Sequence, residues 1–164
     1  MKLLRYIRQI IHKKQIMKQS IFLLCIILFT SCSNDDDSNF TPQTEADIIK
    51  YIADNNLNAQ RSDSGLYYVI NNLGTGARPT SSSNVTVAYK GYFLDGGVFD
   101  QSTNGISFGL HQVIKGWTEG ITYFKEGGDG ILLVPSNLGY GDSGRGSIPG
   151  GAVLIFDIRL ISVN

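Results

Sequence analysis

Few residues able to carry covalent or acid–base chemistry lie beyond the first 32 positions of this 164-residue chain, where both cysteines, Cys25 and Cys32, and the histidine His12 fall. The other histidine, His111, could activate only a serine or threonine, and the sequence holds no Gly-x-Ser-x-Gly elbow to present one. One histidine is too few for a zinc site, and two early cysteines cannot make a four-thiolate site or a disulfide scaffold. The run Gly139-Tyr140-Gly141-Asp142-Ser143-Gly144 satisfies the G-x-G-x-x-G pattern. A phosphate loop of that form follows a strand and opens a helix, whereas Gly146, Pro149, Gly150 and Gly151 come next here and would break one. A flexible loop is the reading that fits. Asp35, Asp36 and Asp37 lack the alternating acids and the glycine of a calcium loop, and their surroundings are too polar to order themselves. Asp95 and Asp100 flank a hairpin, where aspartate is expected for turn chemistry.

Aromatic side chains are what the sequence supplies in excess. Residues 65–164 hold six tyrosines, five phenylalanines and Trp117, and several of them, Tyr89, Phe99, Trp117 and Tyr140, stand beside turns or glycine loops. Most belong to a core. The remainder can line an apolar pocket floored by Trp117, whose indole offers a flat, dry surface.

The elements that must position these rings are mostly strands. Val85, Val87 and Tyr89 alternate with Thr86, Ala88 and Lys90, and Leu154, Phe156, Ile158 and Leu160 share one face while Asp157 and Arg159 point the other way. Leu66 to Ile70 and Ile131 to Val134, ended by Pro135, are further strand candidates. Asp95-Gly96-Gly97 marks a hairpin turn. One segment breaks the pattern: Val113, Trp117, Ile121 and Phe124 recur at helical spacing. Gly116 and Gly120 each cost such a helix about 1 kcal/mol, so it must lie against a sheet. The expected class is α+β, an antiparallel sheet wrapped around one short helix. Ahead of it, Thr44 to about Asn56 reads as another helix, opened by a capping box over Thr44 to Asp47 and striped by Ile48, Ile49 and Ile52. Packing on the domain, part of a dimerisation arm and a plain spacer are all open to it.

Composition divides the chain. Its 14 basic and 14 acidic residues balance, yet positions 1–31 hold six of the basic ones and no acid, leaving eight against fourteen, a net charge of −6, on the rest. That acidic remainder has no cluster of Lys and Arg and argues against nucleic-acid binding. All 19 glycines lie between Gly65 and Gly151. The unbroken apolar run Ile21 to Phe29 would rise only about 14 Å as a helix, against about 30 Å of hydrocarbon, and reads as the core of a secretory signal. Thr30 and Ser31 before Cys32 resemble the lipobox of bacterial lipoproteins, which implies cleavage ahead of Cys32, its acylation and attachment to a membrane. The acidic run behind it resembles the surface-export signal of lipoproteins in the Bacteroidetes. The expected organisation is a leader over 1–31, with Met17 an alternative start, a polar tether over 32–43, a helix and linker over 44–64, and a domain over 65–164. The expected location is the cell envelope, lipid-anchored at the outer membrane, with the domain periplasmic or surface-exposed.

Five blocks, Val85 to Gly91, Asp95 to Asp100, Phe108 to Gly120, Leu138 to Gly141 and Ile148 to Leu160, resemble the FKBP-type peptidyl-prolyl cis-trans isomerases in order and spacing from Leu66 to Ser162. The resemblance implies a half-barrel of antiparallel strands around a short helix. It also implies a proline pocket floored by Trp117 and walled by Tyr89, Phe99, Val113, Ile114 and Phe156, with Phe108 before the helix and Ile148 packing nearby. Tyr140 would donate a hydrogen bond to a substrate carbonyl, and Asp100 would stand at the rim. Gln112 departs from the acidic residue often found in the family, and the Asp142 to Ser147 loop is compact. The implied partners are proline-containing polypeptides, with no cofactor and no metal; the oligomeric state is not read from the sequence. A non-catalytic peptide-binding or chaperone protein of the same fold is the alternative, and an unrelated hydrolase would depend on His111.

Overall fold

Alternating burial is clearest in the last strand of the sheet. In β6 (Leu154–Val163), Leu154, Phe156, Ile158 and Leu160 are at most 4% exposed while Asp157 and Arg159 face solvent. The computed structural model describes residues 40–164; the leader, Cys32 and most of the tether lie outside the described residues. Phe40–Asn164 forms one unit. Before β6 come α1 (Glu45–Asp54), β1 (Gln60–Arg61), β2 (Tyr67–Asn72), β3 (Asn84–Tyr92), β4 (Val98–Gly109), α2 (Lys115–Gly120) and β5 (Asp129–Val134). The six strands form one antiparallel sheet in the order β1-β2-β5-β6-β3-β4. With the short helix, this is the α+β half-barrel anticipated from the sequence. The two-residue edge strand β1 was not.

The expected hairpin joins β3 to β4. Its turn closes through the Gly96 amide on the Phe93 carbonyl and the Gly97 amide on the Asp95 carboxylate, and Gly96 takes φ +89° there. Farther along, the five positions of β4 from Ser102 to Ile106 face only the three of β3 from Tyr89 to Val87, so β4 bulges at Thr103 to Gly105.

The helix expected over Val113 to Phe124 is shorter than its apolar spacing. Val113 and Ile114 have extended backbone, α2 covers six residues, and Ile121–Tyr123 tightens into a 3-10 turn. The glycines explain how so short a helix persists. A methyl at Gly116 would lie 2.6 Å from Val134 Cγ1, and one at Gly120 2.6 Å from Leu132 Cδ1. Their absence lets α2 settle directly on β5, and packing supplies what helix propensity does not. Ile121 and Phe124 are fully buried beneath it, in a core that also holds Leu66, Val85, Val87 and Leu154.

A second, smaller core lies around α1. Thr44 caps that helix, its amide and hydroxyl both donating to the Asp47 carboxylate at 2.7 and 2.9 Å. Ile48, fully buried, packs with Tyr67, Leu133, Val153 and Ile155. This explains why β5 reads as a continuous apolar run: neighbouring residues face different cores. Of the three roles open to α1, packing on the domain is the one observed. The strap ahead of it is tied down as well. Phe40 packs on the main core, the Gln43 amide donates to the Gly151 carbonyl at 2.9 Å, and the Val153 amide donates to Gln43 Oε1 at 2.8 Å.

Candidate active site

Four elements and two connecting segments deliver side chains to a single cleft of about 760 Å³. Tyr89 comes from β3, Phe99, Asp100 and Phe108 from β4, Trp117 from α2, and Phe156 from β6. Val113 and Ile114 enter from the extended approach to α2. Tyr140 and Ile148 come from the loop between β5 and β6. All ten residues singled out in the domain line this cleft.

Trp117 forms the floor, 5% exposed, with Phe156 beside it at 4%. The rings meet mostly edge to face. Tyr89 and Trp117 have centroids 5.0 Å apart at 86°, Trp117 and Phe156 5.1 Å at 80°, and Phe99 and Phe156 5.6 Å at 87°. Phe108 completes the wall at 5.3 Å from Trp117. Such crossings set the positive edge of one ring against the negative face of the next, which fixes the box beyond simple area burial. One small residue makes it possible: a Cβ at Gly91 would fall 2.6 Å from Phe99 Cε2 and 3.0 Å from Phe156 Cε1. Among the described residues, the indole Nε1 of Trp117 is the one buried side-chain polar atom without a hydrogen-bond partner.

Polar groups are few and sit at the margin. The Tyr89 hydroxyl donates to Asp100 Oδ2 at 2.6 Å, and the other carboxylate oxygen accepts from the Gln101 amide at 2.9 Å. Burial, reinforced by Asp100, pushes the Tyr89 hydroxyl far above its ordinary range, so it remains a neutral donor locked onto the carboxylate. Asp100 was also expected to serve turn chemistry; it lies within β4, and Asp95 alone closes the turn. The Tyr140 hydroxyl has no partner among the described residues and is free to donate to a ligand.

Ile106, Arg145, Gly146 and Ser147 also line the cleft. Ile106 was legible, two residues before Phe108 on the same strand face; the loop residues carried no such signal. The G-x-G-x-x-G run forms turns rather than a strand-to-helix junction, with one 3-10 turn just before it at Ser136–Leu138 and another within it at Gly141–Ser143. His111 is exposed at the end of β4 and does not line the cleft. Among the described residues, no group of three His, Cys, Asp or Glu side chains could hold a metal ion.

A half-barrel folded over one helix, enclosing an aromatic box with a free tyrosine hydroxyl at its mouth, defines a class. Residues 76–161 match the family model of the FKBP-type peptidyl-prolyl cis-trans isomerases, and the chain belongs to that family. It is 44% identical over 105 residues to the isomerase FkpA of Escherichia coli K12, covering 62% of this chain and 39% of that protein. To FkpA of Aeromonas hydrophila it is 43% identical over 105 residues, again 62% of this chain and 39% of the relative. The chain thus spans about two-fifths of the length of these relatives. The crystal structure of E. coli FkpA superposes with a TM-score of 0.68 at 36% identity, over 73% of this chain and 58% of that one. A peptidyl-prolyl cis-trans isomerase from Pseudomonas syringae superposes with a TM-score of 0.66 at 32% identity, over 76% of this chain and 98% of that one.

Proposed function

We propose that this protein accelerates cis-trans isomerisation of X-Pro bonds in exported polypeptides, by a non-covalent mechanism in the aromatic cleft. The observation that carries this reading is the convergence of Tyr89, Phe99, Phe108, Trp117 and Phe156 into one dry box beside the unpartnered Tyr140 hydroxyl. The barrier to rotation, about 18 to 20 kcal/mol, comes from amide resonance, which separates charge in the planar form. A twisted amide is less dipolar. Moved from water into an apolar box, the planar form loses more solvation than the twisted one, and the barrier falls. The proline ring fits over Trp117, and Tyr140 donates to a flanking carbonyl and holds the chain in a turn. Each tenfold of rate requires about 1.4 kcal/mol of such differential interaction. Neither a proton transfer nor a nucleophile is needed, which agrees with the place of His111 outside the cleft lining.

A protease-coupled proline-peptide assay tests this directly. The folded wild type is expected to be active, with Trp117→Ala and Tyr140→Phe impaired and His111→Ala unaffected. Suppression of aggregation by wild type without measurable isomerisation would establish the peptide-binding alternative instead.

The same proposal places the protein in the cell envelope, acylated at Cys32 and tethered to a membrane, with the domain in water. Supporting it are the basic leader, the apolar run too short to span, and the small residues before Cys32. Mass spectrometry of the mature N-terminus reports cleavage and acylation together; an unmodified Cys32 in the mature protein would end that part of the proposal.

A further inference from the structure

The cleft carries one cationic side chain, and no acidic group among the described residues pairs with it. Arg145 lines the cleft from the β5–β6 loop. Its backbone is held in place: the Arg145 amide donates to the Ile148 carbonyl at 2.8 Å and the Ile148 amide donates back at 3.0 Å. The guanidinium carbon stands 5.7 Å from the centroid of the Tyr140 ring, within the range where a cation is attracted to an aromatic face. Two other arginines of the fold are occupied, while Arg159 lies on the exposed face of β6, away from the cleft. Arg61 pairs with Glu45, and Arg78 donates to the carbonyls of Thr122 and Tyr123. Arg145 forms no salt bridge and no side-chain hydrogen bond among the described residues, although this unit carries eleven acidic residues and eight basic ones. Its planar fork of donors stands at the cleft beside Tyr140, whose hydroxyl is likewise unpartnered among the described residues.

The other charge at the cleft is already committed. Both oxygens of Asp100 accept hydrogen bonds, from Tyr89 and from the Gln101 amide. The cleft is therefore dipolar, with a satisfied anion on β4 and an unsatisfied cation on the loop. A guanidinium pre-positioned by an aromatic face loses little freedom when it takes a carboxylate in a bidentate grip.

We infer that Arg145 sets a substrate preference: it favours polypeptides with an aspartate or glutamate next to the isomerising proline. The inference rests on the isomerase reading for its catalytic form, while the charge preference itself is a property of binding. An exposed pair of this kind is worth about a two- to fivefold preference at moderate ionic strength, shrinking as salt screens it.

The test compares matched peptides with Glu or Gln on either side of the proline, read both as kcat/KM and as affinity from quenching of Trp117 fluorescence. Wild type is expected to prefer Glu over Gln at one of the two positions. Arg145→Gln should bring that ratio to one, and Arg145→Glu should invert it. Raising the salt should lower the wild-type ratio and leave that of Arg145→Gln unmoved. Charge-selective binding without turnover would support the inference while overturning the isomerase reading. Turnover with equal ratios for wild type and Arg145→Gln would overturn the inference and leave the isomerase reading standing.

Discussion

Trp117 and Tyr140 serve the cleft through different physics, and their substitutions should separate. Tyr140→Phe removes a hydroxyl that bonds nothing in the protein, so folding should be unchanged. Loss of one neutral hydrogen bond to substrate should lower kcat/KM by about two- to tenfold in the coupled assay. Trp117→Ala removes the floor itself; activity should fall more than tenfold, and stability by about 3 to 5 kcal/mol in urea titration. Gly91→Ala tests the box from behind. Its methyl has no room against Phe99 and Phe156, and overpacking of this kind costs about 1 to 3 kcal/mol. Tyr89, Phe99, Trp117 and Tyr140 were legible in the sequence, because rings beside turns and glycine loops exceed what a core needs, whereas Phe108 and Phe156 entered the pocket only through the family resemblance. Gly91 was not, since the rings that exclude its side chain lie elsewhere in the chain and meet it only through β3–β4 and β3–β6 pairing. Arg145 was silent for a related reason: a lone arginine in a glycine-rich loop has no periodicity to betray which way it faces.

At the scale of elements, α1 is part of the fold it might only have spaced. Ile48 is fully buried on the side of the sheet away from α2, and Ile48→Ala should cost about 2 to 5 kcal/mol, measured as a lowered urea midpoint. The helix was legible from its capping box and isoleucine stripe, but its destination was not, because an apolar stripe says that a face is covered without saying by what. The reverse holds for α2. Its destination against a sheet followed from its glycines, while its length was overread. Spacing records which side chains share a face, and Val113 and Phe124 share it with Trp117 and Ile121 from backbone that is extended rather than helical. That extended entry is what turns Val113 and Ile114 into the cleft.

For the whole molecule, stability should depend on pH through three carboxylates held below their ordinary values. Hydrogen bonding from Arg61 and Tyr67 lowers Glu45, and bonds from Thr44 lower Asp47. Burial alone would raise Glu119, but hydrogen bonds from Ser64 and Tyr123 outweigh it and leave the group depressed. Groups depressed in the folded state add stability that is complete above their unfolded values, 4.5 for glutamate and 3.8 for aspartate. That stability is lost as the pH falls through the folded values. Urea midpoints should therefore drop in acid, and Glu119→Gln should flatten that limb. At the other end, burial and then Glu119 push the Tyr123 hydroxyl up to about 12 from an ordinary 10. Its contribution is full below pH 10 and disappears as the pH rises through about 12.

The strap over Phe40 to Gln43 also has a mechanical side. Tension applied to the chain ahead of it meets Phe40 on the core and then Gln43, where two hydrogen bonds fasten it to Gly151 and Val153. Gly151 in turn donates to the carbonyl of Gly141, the neighbour of Tyr140. A pull on the chain ahead of Phe40 is thus carried, through Gln43 and Gly151, to the loop that forms one wall of the cleft.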